Sequence, residues 1–214
     1  MKRAEKYFQN AYAKLEKKKA QEAIKRFNKA IALDPTFADA YVGRGIAKFA
    51  KGDLEGSIAD YEIARTFTPD AVANNRTVAQ TYVIRGEMEF EDLQLENAIR
   101  DFSRAIEAFP NDGEFYLKRG QAYLVLSNYA AAIADFNQSL LLSTPDTSIR
   151  ALVYGHRGYT FLLQKRDCES MKDGRELLRF SSGIRMLVEL HLRTIDVKRR
   201  QVQIGHLQLH KNRA

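Results

Sequence analysis

Four arginines are each followed sixteen residues later by an aspartate: Arg44 and Asp60, Arg85 and Asp101, Arg119 and Asp135, Arg157 and Asp173. A guanidinium offers two parallel N–H donors to a carboxylate, so the chemistry of such a set is the bidentate ion pair. An active site is rarely copied four times along one chain. The set therefore reads as a repeated intramolecular tie, within one structural unit or between neighbours. The first register position carries Asn10 and Arg26 instead. Other reactive residue types are sparse. Cys168 is the single cysteine, which rules out an internal disulfide, supplies no metal framework and suits a reducing compartment. His206 and His210 stand four apart, a spacing compatible with metal, but no third ligand is near. His156 falls in a helical pattern and reads as a groove or surface histidine. The glycines are isolated, so no phosphate-cradling loop is present. No residue set supports enzymatic activity, and neither cofactor nor metal is expected.

The elements that must position these ion pairs appear as a repeat. Gly45 and Gly86 lie 41 residues apart, Gly86 and Gly120 lie 34 apart, and Gly120 and Gly158 lie 38 apart. Tyr7, Tyr41, Tyr82, Tyr116 and Tyr154 keep the same steps, as do Ala23, Ser57, Ala98, Ala132 and Ser170. Phe27, Tyr61, Phe102 and Phe136 share one position, where the fifth unit has Gly174. The stretch Tyr41–Pro69 displays one unit. Tyr41, Gly45 and Phe49 mark a first helix, Lys51-Gly52-Asp53 a turn, and Leu54, Ile58, Tyr61 and Ala64 a second helix that stops at Thr68-Pro69. Such a pair is too small to bury its own apolar stripe, so it must stack on its neighbours.

The order of aromatic, small residue, aromatic or apolar residue, turn, Ala, aromatic, Ala and Pro resembles the tetratricopeptide repeat. The second unit carries it as Tyr41, Gly45, Phe49, Gly52-Asp53, Ser57, Tyr61, Ala64 and Pro69. The fourth carries it as Tyr116, Gly120, Leu124, Ser127-Asn128, Ala132, Phe136 and Ser139. The resemblance implies an all-α, right-handed α-solenoid of about five helix-turn-helix repeats over residues 4–180, at about 4–37, 38–71, 79–112, 113–146 and 151–180, plus a C-terminal capping helix. Two insertions interrupt the period. In DAVANNRTV (70–78), Asn74-Asn75 reads as a loop, and Thr77 with Gln80 reads as a capping box that starts a helix near Val78. Near 146–150, Thr144 reads as an N-cap with Pro145 at the first helical position, giving the fifth unit a first helix one turn longer.

The net charge of +7 is uneven: residues 181–214 hold seven Lys/Arg and two Asp/Glu, hence +5, leaving +2 for the rest. Within this tail SSG (181–183) is a break and Ile184 to Arg200 is amphipathic, with Leu187, Leu190 and Ile195 as candidate buried positions. QVQIGHLQLH alternates like a strand or an unstructured end. The N-terminus is basic without an apolar core, and no window approaches the ~20 apolar residues of a membrane span. A cytoplasmic protein is expected.

In the resemblance, function resides in a concave groove lined by the first helix of each pair. The positions that map there are Phe8, Tyr12 and Leu15; Val42, Ile46 and Phe49; Val83, Glu87 and Phe90; Leu117, Gln121 and Leu124; and Tyr159 and Leu162. This is an apolar set suited to an amphipathic or apolar peptide segment. Some relatives grip a C-terminal carboxylate with Lys and Asn. The matching positions here are Phe8, Tyr12, Gly43, Gln80 and Ile84, so that clamp is absent. The expected partner is another protein or peptide, bound by a non-catalytic scaffold or adaptor with no small-molecule substrate and no membrane. The competing reading has the groove filled by the 184–200 helix folding back. Two alternatives remain. One is weak nucleic-acid association through Lys198-Arg199-Arg200 and Lys211 to Arg213, in a tail without the interleaved aromatics that single-strand binding uses. The other is self-association of a homo-oligomer through the C-terminal end.

Overall fold

Apolar residues at three- and four-residue steps, separated by turn residues, fold the chain into helices. The structure, a computed structural model, describes residues 2–145 and 147–211. Its helices are α1 (Lys2–Glu16), α2 (Ala20–Leu33), α3 (Ala38–Phe49), α4 (Leu54–Phe67), α5 (Arg76–Glu91), α6 (Leu95–Ala108), α7 (Gly113–Val125), α8 (Tyr129–Leu142), α9 (Ser148–Leu163), α10 (Asp167–Leu177) and α11 (Ser182–Lys211). A 3-10 turn covers Pro69–Val72, and there is no strand among the described residues. The architecture is the all-α helix-turn-helix repeat that the periodicity predicts.

The turns inside the helix pairs share one device. Lys18, Gly52, Leu93, Ser127 and Lys165 all have φ between 56° and 82°, at the steps of the sequence repeat. Only one is glycine, so the left-handed turn is imposed by the packed helices on either side rather than by local preference. Side chains cap two of the helices that follow: Asp53 accepts from the Gly56 N–H at 2.9 Å and Asn128 from the Ala131 N–H at 3.3 Å. Two caps differ from expectation. Asn75, not Thr77, accepts from the Val78 N–H at 3.2 Å, and α5 begins at Arg76. Thr147, not Thr144, accepts from the Arg150 N–H at 3.4 Å. Thus α9 starts at Ser148, with Pro145 outside it, yet its sixteen residues exceed the twelve of α3 by one turn. In both cases the short polar side chain immediately before the helix takes an orphan donor.

The chain forms two compact units: one runs to Arg85 and includes Glu107–Pro110, and the other comprises Gly86–Ile106 and everything from Asn111. In the first, α1 packs on α2, α2 on α3 and α3 on α4 around Ala11, Ala23, Phe27, Ala30, Ala40 and Ala47. In the second, α7 packs on α8, α8 on α9, α9 on α10, and α11 on α9 and α7. Its core gathers Leu117, Leu124, Phe136, Val153 and Ile195. Small residues set the approach of paired helices. A Cβ at Gly120 would stand 2.7 Å from the ring of Phe136, which is wholly buried. Gly120→Ala should therefore cost about 1 kcal/mol, overpacking of ~2 kcal/mol outweighing the ~1 kcal/mol gain in helix propensity. Urea unfolding would read the loss, and an unchanged midpoint would contradict the close approach.

The C-terminal segment departs from its sequence pattern. QVQIGHLQLH is neither strand nor irregular; α11 continues through it to Lys211. The alternation of Val202, Ile204, Leu207 and Leu209 has no strand to pair with among the described residues, and an unpaired strand leaves its backbone groups unsatisfied. Helix closes those bonds internally, and Val202 reaches the apolar core. The side chains of His206 and His210, offered as a metal pair, lie outside the described residues. No group of three or more potential metal ligands occurs among those described.

Candidate interaction surface

The repeated charges form interhelical clamps. Arg44 donates from Nε (2.8 Å) and Nη2 (2.7 Å) to the two oxygens of Asp60. Arg119 does the same to Asp135 at 2.8 and 2.7 Å, and Arg157 to Asp173 at 2.8 and 2.6 Å. Each joins the first helix of a pair to the second. The third donor was not anticipated: Nη1 reaches Asn28, Ser103 or Asn137 on the second helix of the preceding pair. Those three residues occupy one register position, so the signal was present in the repeat. One guanidinium thus ties three helices, which spends these charges on structure. In the first unit Asn10 and Arg26 replace the pair, and there Arg3, Lys6, Tyr7, Asn10 and Arg26 line a recess of about 380 Å³.

Residues mapped to the first-helix face divide by burial. Val42, Val83, Leu117 and Leu124 are buried and hold the helices together. In the first unit Phe8, Tyr12, Leu15, Ile46 and Phe49 are half-buried. Phe8 and Tyr12 stand edge to face with centroids 4.9 Å apart, and Phe8 lies 4.8 Å from Phe37. Burial raises the pKa of the Tyr12 phenol, with Asp39 adding to it. In the second unit Glu87 is exposed and pairs with Lys118, while Leu162 is exposed. Phe90, Gln121 and Tyr159 are half-buried, and each contacts α11 or a residue that faces it.

In the second unit α11 lies on the face of α7 and α9. Val188 is 1% exposed and Ile195 is 3% exposed, and Val202 continues their stripe. Val188 sits over Gly155, where any side chain would collide with its Cγ1. The Tyr159 hydroxyl donates to Asp196 Oδ1 at 2.6 Å. That bond is the chief reason the Asp196 carboxyl titrates below its usual range, whereas Tyr159 is pushed upward first by burial and then by Asp196. Lys198 donates to the Glu91 carboxylate at 3.0 Å and stands over the Phe90 ring at 5.2 Å. A cavity of about 450 Å³ remains beside the seat, bounded by Phe90, Lys118, Gln121, Leu190, His191 and Ile195 among others.

His156 proves to be neither groove nor surface residue, for its side chain is completely buried. Its Nδ1 lies 2.7 Å from the Leu152 carbonyl and must donate, while Nε2 lies 3.1 Å from Gln121 Nε2 and must accept. Phe136 and His191 flank the ring at 6.0 and 6.4 Å. These bonds suit the neutral imidazole, and burial lowers the pKa to about 4. The expected buried tail positions also shift. Ile195 is buried, but Leu187 is 39% and Leu190 is 61% exposed. The helix is turned so that Met186, Leu190, Val197 and Ile204 form an outer apolar stripe. Of the tail's basic run, Lys198 is buried and paired with Glu91, and Arg199 and Arg200 pair with Asp196.

The glycine–aromatic stacking and the register of the turns recur as one helix-turn-helix repeat, and the comparisons agree. Residues 11–52 match a family model described as TPR repeat, and residues 89–146 match one described as tetratricopeptide repeat. The chain carries tetratricopeptide repeats in these two stretches. Among curated proteins no relative matches. Solved structures share the fold. YrrB, described as a TPR protein with an unusual peptide-binding site, superposes with a TM-score of 0.58 at 19% identity, covering 88% of this chain and 90% of that one. A MamA crystal structure gives 0.56 at 19% identity, covering 82% and 90%. MamA from Desulfovibrio magneticus RS-1, residues 41 to the end, gives 0.53 at 15% identity, covering 82% and 93%. Identities this low speak for the fold alone. Tetratricopeptide repeats are in general non-catalytic scaffolds for protein–protein interaction. Among the described residues no helix is long and apolar enough to cross a membrane.

Proposed function

We propose that this protein is a non-catalytic scaffold that binds an amphipathic or apolar peptide segment, in helical form, along the face of its first helices. One observation carries the reading: α11, itself an amphipathic helix, is seated on that face at α7 and α9. In the first unit the corresponding surface offers half-buried Phe8, Tyr12, Ile46 and Phe49, apolar side chains with area left to contribute to a partner. The paired arginines and aspartates are committed to interhelical ties and leave no reactive pair for catalysis. The nucleic-acid alternative loses support because Lys198, Arg199 and Arg200 already have acidic partners. Self-association draws its support from the outer stripe of α11.

The test is a displayed library of amphipathic helical peptides selected on the intact protein. Phe49→Glu and Ile46→Glu should each weaken the selected peptides by about tenfold or more, as expected for a buried charge in an apolar contact. Thermal unfolding of the variants guards against a folding defect. Selected peptides that bind both variants as well as the parent would refute the assignment of that face.

A further inference from the structure

The geometry points to a specific helix-binding site on the face of α7 and α9, of which α11 is the resident and displaceable occupant. The partner it fits is an outside amphipathic helix of the same pattern: branched aliphatic side chains seven residues apart, a carboxylate eight residues after the first, and a cation two further on. This rests on the reading of the first-helix face as the binding surface and adds the chemistry that face selects.

The pattern is read from α11 itself. Val188 and Ile195 are its deeply buried aliphatic side chains, and Val202 follows at the same step. Seven residues are close to two helical turns, so the three lie on one stripe. Gly155 makes the seat for the first anchor, since a side chain there would occupy the volume of Val188. Asp196 and Lys198 read the rim, through the Tyr159 hydroxyl at 2.6 Å and the Glu91 carboxylate at 3.0 Å. Apolar anchors inside a polar rim are how grooves recognise helices.

Two features mark α11 as an occupant rather than one more repeat helix. The repeat helices are stitched together by the three-helix arginine clamps, and α11 carries no residue of that set. Arg193 pairs with Glu189 and Arg200 with Asp196, both within α11 itself. Its opposite side is open, with Met186 70%, Leu190 61%, Val197 54% and Ile204 54% exposed. One stripe therefore holds the helix to the body, and the short turn Leu178–Ser181 keeps it at high local concentration.

The experiment uses the full chain with a protease site inserted between Phe180 and Ser181, and a fluorescent peptide of residues 182–204 as the probe. A tethered occupant competes at an effective concentration near the millimolar range. The intact chain should therefore bind the probe about a hundredfold more weakly than the cleaved chain. A probe carrying Val188→Asp should not bind either form. Circular dichroism of the cleaved chain must keep the helical signal of α7 to α10 while the segment exchanges. If the cleaved chain retains its own segment against a large excess of probe, or loses α7 to α10 when the segment leaves, α11 is an integral part of the core and the proposal is overturned. Because the probe is the chain's own helix, this outcome is read independently of whether the peptide selection finds a partner for the first unit.

Discussion

Asp60→Ala should destabilise the protein by about 3 kcal/mol, the lower end of the range for breaking a buried ion pair from one side. Asp60 is 1% exposed and accepts from Arg44 twice, at 2.8 and 2.7 Å, and from Lys48 at 2.9 Å. Removing it leaves two cations of α3, one turn apart, without the α4 carboxylate that they share. The side chains of Arg44 and Lys48 retain 18% and 22% exposure, so solvent relieves part of the repulsion, which is why the lower end applies. The loss is asymmetric. The double variant Arg44→Met with Asp60→Leu, which removes the pair together, should cost less than the two single changes added. Urea unfolding of the parent, Arg44→Met, Asp60→Leu and the double variant measures the coupling, and Asp60→Ala is measured beside them. Additive losses, or an Asp60→Ala loss below about 1 kcal/mol, would mean the clamp is incidental to stability.

Acidification should cost a comparable amount through His156. The unfolded chain takes up this proton near the ordinary histidine value of 6.5, and the folded chain at about 4. Above 6.5 both states are neutral there and the contribution is flat. Between 6.5 and 4 only the unfolded state binds the proton, so stability falls by about 1.4 kcal/mol per pH unit, some 3 kcal/mol in all. Below 4 both states are charged and the contribution is flat again. The titratable and charged groups near the seat are His191 of α11, which opposes protonation of His156, Lys118 paired with Glu87, and Lys198 paired with Glu91. Since α9 and α11 meet at His156 and His191, loss of order should begin there. Thermal unfolding of the parent and His156→Gln at pH 7, 5.5 and 4.5 separates this residue from the carboxylates, because the variant lacks only the titration of that imidazole. Parallel pH profiles for the two proteins would rule the mechanism out.

The arginine–aspartate set was legible because it shares the repeat's own step; a spacing kept through insertions must serve the geometry that all units share. Asn28, Ser103 and Asn137 are just as periodic but differ in chemical type, so no residue class announces them. His156 was misread because a helical pattern places it on a face without saying what covers that face. The cover is α11, more than thirty residues further on. The groove positions split for a related reason. Val42, Val83, Leu117 and Leu124 share the first-helix spacing with Phe8 and Phe49, but burial depends on the neighbouring helix, which spacing within one helix does not encode.

What the sequence alone determined is the repeating pair: its two helices, its turn, its small-against-aromatic packing and the charges that tie it. These depend on contacts between residues a fixed distance apart, so a period expresses them completely. Only the tertiary structure decided the course of Ser182–Lys211. An amphipathic segment with two apolar stripes can seat either one, and its own pattern does not rank them. Gly155, Tyr159 and Glu91 make the choice by fitting Val188, Asp196 and Lys198, and that fit exists only once the first helices stand side by side.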